Sequence, residues 1–166
     1  KRTPAHLRPA EIFFVPNNEE NEQKLADLFK EMTGISELNP GVSVIHGREI
    51  PHKAHSDRAI WFDFRALCFG PRSQADYLYL AEHYEMVFVS GLERLTPQEK
   101  AEARRLTWLI DVLYDFRVKL CATSAVGVNN IYVEGDFAEE FTRTASRMVE
   151  MQSEVYLEQP HLTLKK

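Results

Sequence analysis

Between residues 58 and 122, three short apolar runs alternate with two amphipathic stretches, and this alternation constrains the fold more than any other feature. The runs are Ala59-Ile60-Trp61-Phe62-Asp63-Phe64, Met86-Val87-Phe88-Val89 and Val118-Lys119-Leu120-Cys121-Ala122. They are apolar without strict alternation, the pattern of strands covered on both faces. Between the first two, Ser73-Gln74-Ala75-Asp76 is a capping-box variant, and Tyr77, Leu80, Ala81 and Tyr84 share one helical face. Between the second and third, Thr96-Pro97-Gln98-Glu99 combines a hydroxyl cap, a proline at the first helical position and a Glu three residues after the cap. Leu106, Leu109, Ile110 and Leu113 continue that helix at i, i+3, i+4, i+7. A β-α-β-α-β succession of this kind predicts a parallel sheet with right-handed crossovers.

The flanks add smaller units. Glu11 to Pro16 reads as a short strand stopped by its proline, and Asn17-Asn18-Glu19-Glu20 as a helix start. Leu25, Leu28, Phe29 and Met32 form one face of that helix, which Gly34 can end. Val42 to Ile45 predicts a strand, His46 to Glu49 a turn, and Ile50 to Ala54 a return strand whose Pro51 suits an edge. Asp136-Phe137-Ala138-Glu139 reads as another capping box, opening one long helix to about Tyr156 with Phe141, Ala145, Met148 and Gln152 along one side. The expected fold class is α/β: a mostly parallel central sheet, a small antiparallel hairpin and a long C-terminal helix. Residues 1–57 form the N-terminal strand-helix-hairpin portion and residues 58–166 the α/β core, together one compact unit.

Composition narrows the function classes. A chain of 166 residues suits one domain, and its net charge of −5 argues against a phosphate-neutralising nucleic-acid binder. Apolar runs such as Met86–Val89 are far too short to span a bilayer. Cys68 and Cys121 sit inside apolar runs, which predicts buried free thiols and a reducing, cytoplasmic setting. None of the seven glycines is followed by Lys, so these residues contain no G-x-x-x-x-G-K-[ST] phosphate loop. There is likewise no G-x-G-x-x-G, C-x-x-C, H-E-x-x-H or G-x-S-x-G.

Several constellations carry two readings. His52 and His55 offer two imidazoles with only Asp57 nearby as a third metal ligand, so a solvated turn outweighs a metal site. Asp63 ends a strand where a magnesium carboxylate would sit; the favoured alternative is a carboxylate that caps a loop or pairs with an Arg. Thr123-Ser124, at a strand's carboxyl end, either orient water or phosphate or satisfy a loop backbone. Arg104 and Arg105 read as a solvated face complementing Glu99 and Glu102, or as guanidinium groups reaching a neighbour's phosphate. Asp111 and Asp115, one turn apart, repel, so at least one is expected to hold a cation. Arg143 and Arg147, also one turn apart, form either a two-arginine anion site or ion pairs with Glu139, Glu140 and Glu150.

Three ordered stretches carry a resemblance. The first runs Trp61-Phe62-Asp63-Phe64-Arg65-Ala66-Leu67-Cys68, Gly70-Pro71-Arg72-Ser73 and Ala75-Asp76-Tyr77-Leu78. The second joins Ala103-Arg104-Arg105, Leu109 to Asp115 and Val118-Lys119-Leu120; the third runs from Phe141 to Ser153. Together, with Arg48 and Ile50-Pro51, they resemble the C-terminal half of the ZapE-like family of AAA+ P-loop ATPases, the bacterial cell-division ATPases and their mitochondrial relatives. The family's usual Phe, Leu and Pro are replaced here by Leu106, Met148 and Glu93.

The resemblance implies that the Walker segments lie upstream and that this chain, which starts at Lys1, is a fragment of a longer ATPase, inactive alone. It implies ATP and Mg²⁺ in the parent, a ring-type homo-oligomer, and a division or client protein as partner in cell division or protein quality control. Arg143 and Arg147 are then candidates for nucleotide sensing, and Arg104 and Arg105 weaker ones that reach a neighbour in trans. No catalytic or metal-ligating residue is assigned. The rival is a degenerate nucleotide-fold module that docks a partner and never contacts nucleotide.

Overall fold

The computed structural model describes residues 3–162. The chain enters through two single 3-10 turns and runs as β1 (Phe13–Phe14), α1 (Glu19–Thr33), β2 (Gly41–Ile45), β3 (Arg48–His52), β4 (Ala54–His55), β5 (Ala59–Asp63), α2 (Phe64–Cys68) and α3 (Gln74–His83). It continues as β6 (Met86–Leu92), α4 (Lys100–Phe116), β7 (Lys119–Ser124), α5 (Ala138–Glu150) and α6 (Glu154–Glu158). Five strands form one sheet in the order β1-β7-β6-β5-β4, parallel except for β4, and β2–β3 is a separate antiparallel hairpin. This is the expected α/β class.

The topology sets the layers. From β5 through β6 to β7 the chain steps in one direction, so right-handed crossovers put α3 and α4 on one face. From β1 to β5 it steps the other way, which puts α1 on the opposite face. There Phe29 of α1 meets Phe88 edge-on at 4.9 Å and Trp61 at 5.7 Å. On the other face Ile60 shares a cleft wall with Leu80 of α3. Trp61, Phe62 and Phe88 are wholly buried, each contributing ~1.5–3 kcal/mol by leaving water. One continuous core takes residues from Leu7 to Leu157.

Several boundaries differ from expectation, each for a local reason. The hairpin turn is only His46-Gly47, both in the left-handed region (φ 51° and 81°), the two-residue turn whose twist suits a hairpin. The return strand is therefore Arg48–His52, and Ala54–His55 belongs to the main sheet. Around Thr96, the backbone N–H donates to Glu99 Oε1 at 2.8 Å and Glu99 N–H donates back to the Thr96 carbonyl at 2.9 Å. That closes a turn on Pro97-Gln98, and α4 starts only at Lys100. The C-terminal helix is two helices. Asp136 does not cap α5, which begins after Phe137, and Ser153 accepts from the Tyr156 N–H to start α6 after a break at 151–153. The break turns Tyr156 inward, where its hydroxyl donates to the Leu113 and Val118 carbonyls. α1 is as expected: Asn18 caps it and Gly34 ends it at φ 84°.

Candidate functional site

The carboxyl ends of parallel strands are where open α/β sheets take ligands. Here they present Asp63, Ser90-Gly91 and Thr123-Ser124. Gly91 has φ 84°, and the ladder between β6 and β7 shifts there by a bulge. The hydroxyls are already engaged. Ser90 Oγ donates to Glu22 Oε1 at 2.8 Å and accepts from Trp61 Nε1 at 2.8 Å. Thr123 Oγ1 donates to Glu22 Oε2 and accepts from the Gly91 N–H at 3.0 Å. Ser124 bonds the Val126 backbone. The carboxylate of Glu22, on the first turn of α1, thus closes the crest from inside. The loop-satisfying reading of Thr123 and Ser124 holds, and both are wholly buried. Asp63 is exposed and pairs with Lys53 at 3.8 Å rather than with an Arg. Sequence reasoning missed Glu22, which carries no signal beyond being an acid in the first turn of α1.

The four arginines are re-sorted by the packing of α4 on α5. Arg147 donates to Asp111 Oδ1 at 2.6 Å and stacks 4.8 Å over Tyr114. It pairs with Asp111, not with Glu139, Glu140 or Glu150, and Asp111 thereby has the cation its spacing called for. Glu150 instead accepts from the Tyr114 hydroxyl, which raises that phenol's pKa. Arg105 donates to the Cys68 carbonyl at 3.1 Å and lies 3.7 Å from Glu102. Both these arginines serve the fold.

Arg104 and Arg143 are exposed instead and line one cleft of about 400 Å³ between α4 and α5, with Trp108, Phe137 and Glu140. Arg104 sits 5.2 Å over the Phe137 ring, and Arg143 has no ion pair among the described residues. The sequence grouped Arg104 with Arg105 and Arg143 with Arg147; the structure brings together Arg104 and Arg143. The cleft's floor is fixed by a 2.7 Å hydrogen bond between the hydroxyls of Thr107 and Thr144. Its remaining acid, Glu140, is exposed, and the cleft presents two exposed guanidinium groups.

Other titratable groups have structural work. Asp76 is wholly buried at the start of α3 and holds the hairpin turn through His46 at 3.1 Å and Arg48 at 2.7 Å. Burial pushes its carboxyl up, but the Ser73 N–H, His46 and Arg48 outweigh that and hold it below its ordinary value. His52 and His55 stack at 5.5 Å, and burial, then His55, lowers the His52 pKa. Asp57 is exposed, and among the described residues no three His, Cys, Asp or Glu side chains converge as a metal site. Lys119 is buried with no carboxylate partner among the described residues, donating to the Arg117, Tyr156 and Gln159 carbonyls, and burial pushes its pKa down to about 8. Cys68 and Cys121 are buried thiols outside any disulfide, and burial pushes Cys68 up to about 12. No helix among the described residues is long and apolar enough to cross a membrane.

The chain can now be set beside known proteins. The family model for AFG1-like ATPases matches residues 2–160. The cell division protein ZapE of Escherichia coli is 30% identical over 156 residues, 94% of this chain and 42% of that protein. An uncharacterized protein of Schizosaccharomyces pombe is 40% identical over 88 residues, 53% of this chain and 19% of its own length. Lactation elevated protein 1 homolog B of Danio rerio is 24% identical over 185 residues, 90% of this chain and 37% of that protein. The chain therefore spans less than half the length of the curated relatives it matches. No solved structure matches it.

Proposed function

The chain belongs to the AFG1-like ATPase family, and from that premise we propose that it is the C-terminal part of an AAA+ P-loop ATPase whose other part holds ATP and Mg²⁺. In this reading the α4–α5 cleft supplies Arg143, with Arg104 beside it, to phosphate oxygens held on another surface of the same protein or of a neighbouring subunit in a ring. The observation that supports it is the sorting of the arginines: Arg105 and Arg147 are spent on the fold, while Arg104 and Arg143 share an open cleft. A planar, permanently charged fork suits that role. The similarity to a cell division protein supports a division or client protein as partner, and a cytoplasmic setting goes with it.

The residues present do not by themselves fit ATP and Mg²⁺. They contain no phosphate loop, Asp63 is paired with Lys53, and the crest hydroxyls are bonded to Glu22. No hydrolytic step is assigned to this chain, and alone it turns over no ATP. A second reading, a degenerate nucleotide fold that docks a partner without touching nucleotide, is favoured by one observation, the closure of the crest by Glu22.

One experiment separates the two. Arg104→Ala with Arg143→Ala in the full-length protein is expected to lower the kcat for ATP about 10³-fold, the low end of the range for arginines that stabilise transferring phosphoryl groups. Unchanged turnover together with lost partner binding would favour the second reading.

A further inference from the structure

The hairpin carries an open strand edge, and a cleft runs along it. Its pairs are Gly41↔His52, Val42↔Pro51, Ser43↔Ile50, Val44↔Glu49 and Ile45↔Arg48. A two-residue turn is closed by a hydrogen-bonded pair, here Ile45 with Arg48, and such pairs alternate along an antiparallel ladder. Gly41, Ser43 and Ile45 therefore aim their backbone groups at β3. Pro51, which has no N–H, falls at a non-bonded pair, as its chemistry requires. The N–H and C=O groups of Val42 and Val44 point the other way, off the free edge, and have no hydrogen-bond partner among the described residues. Val42 and Val44 are 54% and 64% exposed.

The cleft, about 390 Å³, has Val42 to Ile45 in one wall and Tyr79, Leu80 and Tyr84 in the other, with Ile60 also lining it. His52 and His55 stand at its rim, His52 held by the Ser43 hydroxyl at 2.8 Å. The Tyr79 and Tyr84 hydroxyls and the His55 ring have no hydrogen-bond partner among the described residues.

We propose that this edge binds an extended peptide segment of a partner protein as a third strand on β2. Two outward donors and two outward acceptors at strand spacing match an extended backbone; a helix, whose own backbone bonds are satisfied, offers no such row. The cleft beside the strand takes one guest side chain. Its apolar lining of Ile45, Ile60 and Leu80 selects an apolar residue. The phenol and imidazole donors at the rim select an acid or amide two positions along, on the same face of the guest strand. The site is separate from the arginine cleft and does not rest on the ATPase reading.

The test is a displayed library of random extended peptides selected against the protein, with the enriched peptides measured by fluorescence anisotropy and by amide exchange. Peptides of the alternating pattern are expected to bind, to protect the Val42 and Val44 amides, and to lose about tenfold in affinity on Val44→Pro. That substitution deletes an outward N–H and leaves the β2–β3 bonds in place. Val44→Thr keeps the N–H and is expected to keep binding, which guards against a folding artefact. Peptides that bind Val44→Pro equally well, that protect residues elsewhere, or that fail to enrich at all overturn the proposal. So does a concentration-dependent dimer abolished by Val44→Pro, because the edge then belongs to a second copy.

Discussion

The crest of the parallel sheet and the cleft between α4 and α5 use polar side chains in opposite ways. At the crest, Glu22, Ser90, Thr123 and Trp61 bond one another, and Thr123 also takes the Gly91 N–H. In the cleft, Arg104 and Arg143 stand exposed beside rings and a single exposed acid. A buried polar cluster that satisfies itself adds stability and leaves nothing for a ligand. An unspent cation on a rigid helix pair adds almost nothing to stability and keeps its charge for a ligand. The two regions therefore differ in what they leave unengaged: the hydroxyls of Ser90, Thr123 and Ser124 are all bonded, while the cleft keeps two exposed guanidinium groups.

The largest effect that would break this contrast is at Glu22. Glu22→Ala strands two hydroxyls that had a charged acceptor, and is expected to cost about 2–3 kcal/mol in urea unfolding. Glu22→Gln, which keeps an acceptor, is expected to cost less. An effect under about 0.5 kcal/mol for the alanine variant would mean that the crest is not held by this carboxylate.

A smaller effect sharpens the contrast within α5. Arg147→Ala removes a partly buried pair with Asp111 and the stacking on Tyr114, and is expected to cost about 1–2 kcal/mol, read as a lower thermal midpoint. Arg143→Ala, one turn away, is expected to stay within about 0.5 kcal/mol of the parent.

The smallest effect is a slope. The Asp76 carboxyl lies below its unfolded value, so the stability it contributes is present above that unfolded value, near pH 4, and is lost as pH falls through the folded one. Acid unfolding of the protein should therefore be steeper below pH 4 than that of Asp76→Asn. Parallel curves would remove Asp76 as the clip between hairpin and α3.

Much of the fold was legible because burial on both faces leaves a plain mark. The runs at β5, β6 and β7 and the Ser73–Asp76 box were read in place, since local apolar pattern and cap chemistry fix them. The misplaced boundaries are those where side chains or backbone sign decide the matter. His46 at positive φ shortened the hairpin turn, the Thr96–Glu99 bonds delayed α4, and Ser153 with Tyr156 split the last helix. The candidate arginines were legible as residue types, but their division was not. Which of them is spent depends on Asp111 and the Cys68 carbonyl, partners 36 and 37 residues away in the chain. Glu22 was invisible for the same reason: its partners Ser90 and Thr123 lie 68 and 101 residues away. The role of Lys119 was not legible in its strand either, because the Tyr156 and Gln159 carbonyls that accept from it lie 37 and 40 residues away.

The most direct test sets Arg143→Ala beside Arg147→Ala in the full-length protein, measuring ATP turnover and thermal midpoint on the same samples. The account predicts that Arg143→Ala loses turnover with an unchanged midpoint, while Arg147→Ala lowers the midpoint and its folded fraction keeps turnover. The reverse pattern, with Arg147 carrying turnover and Arg143 carrying stability, would contradict it.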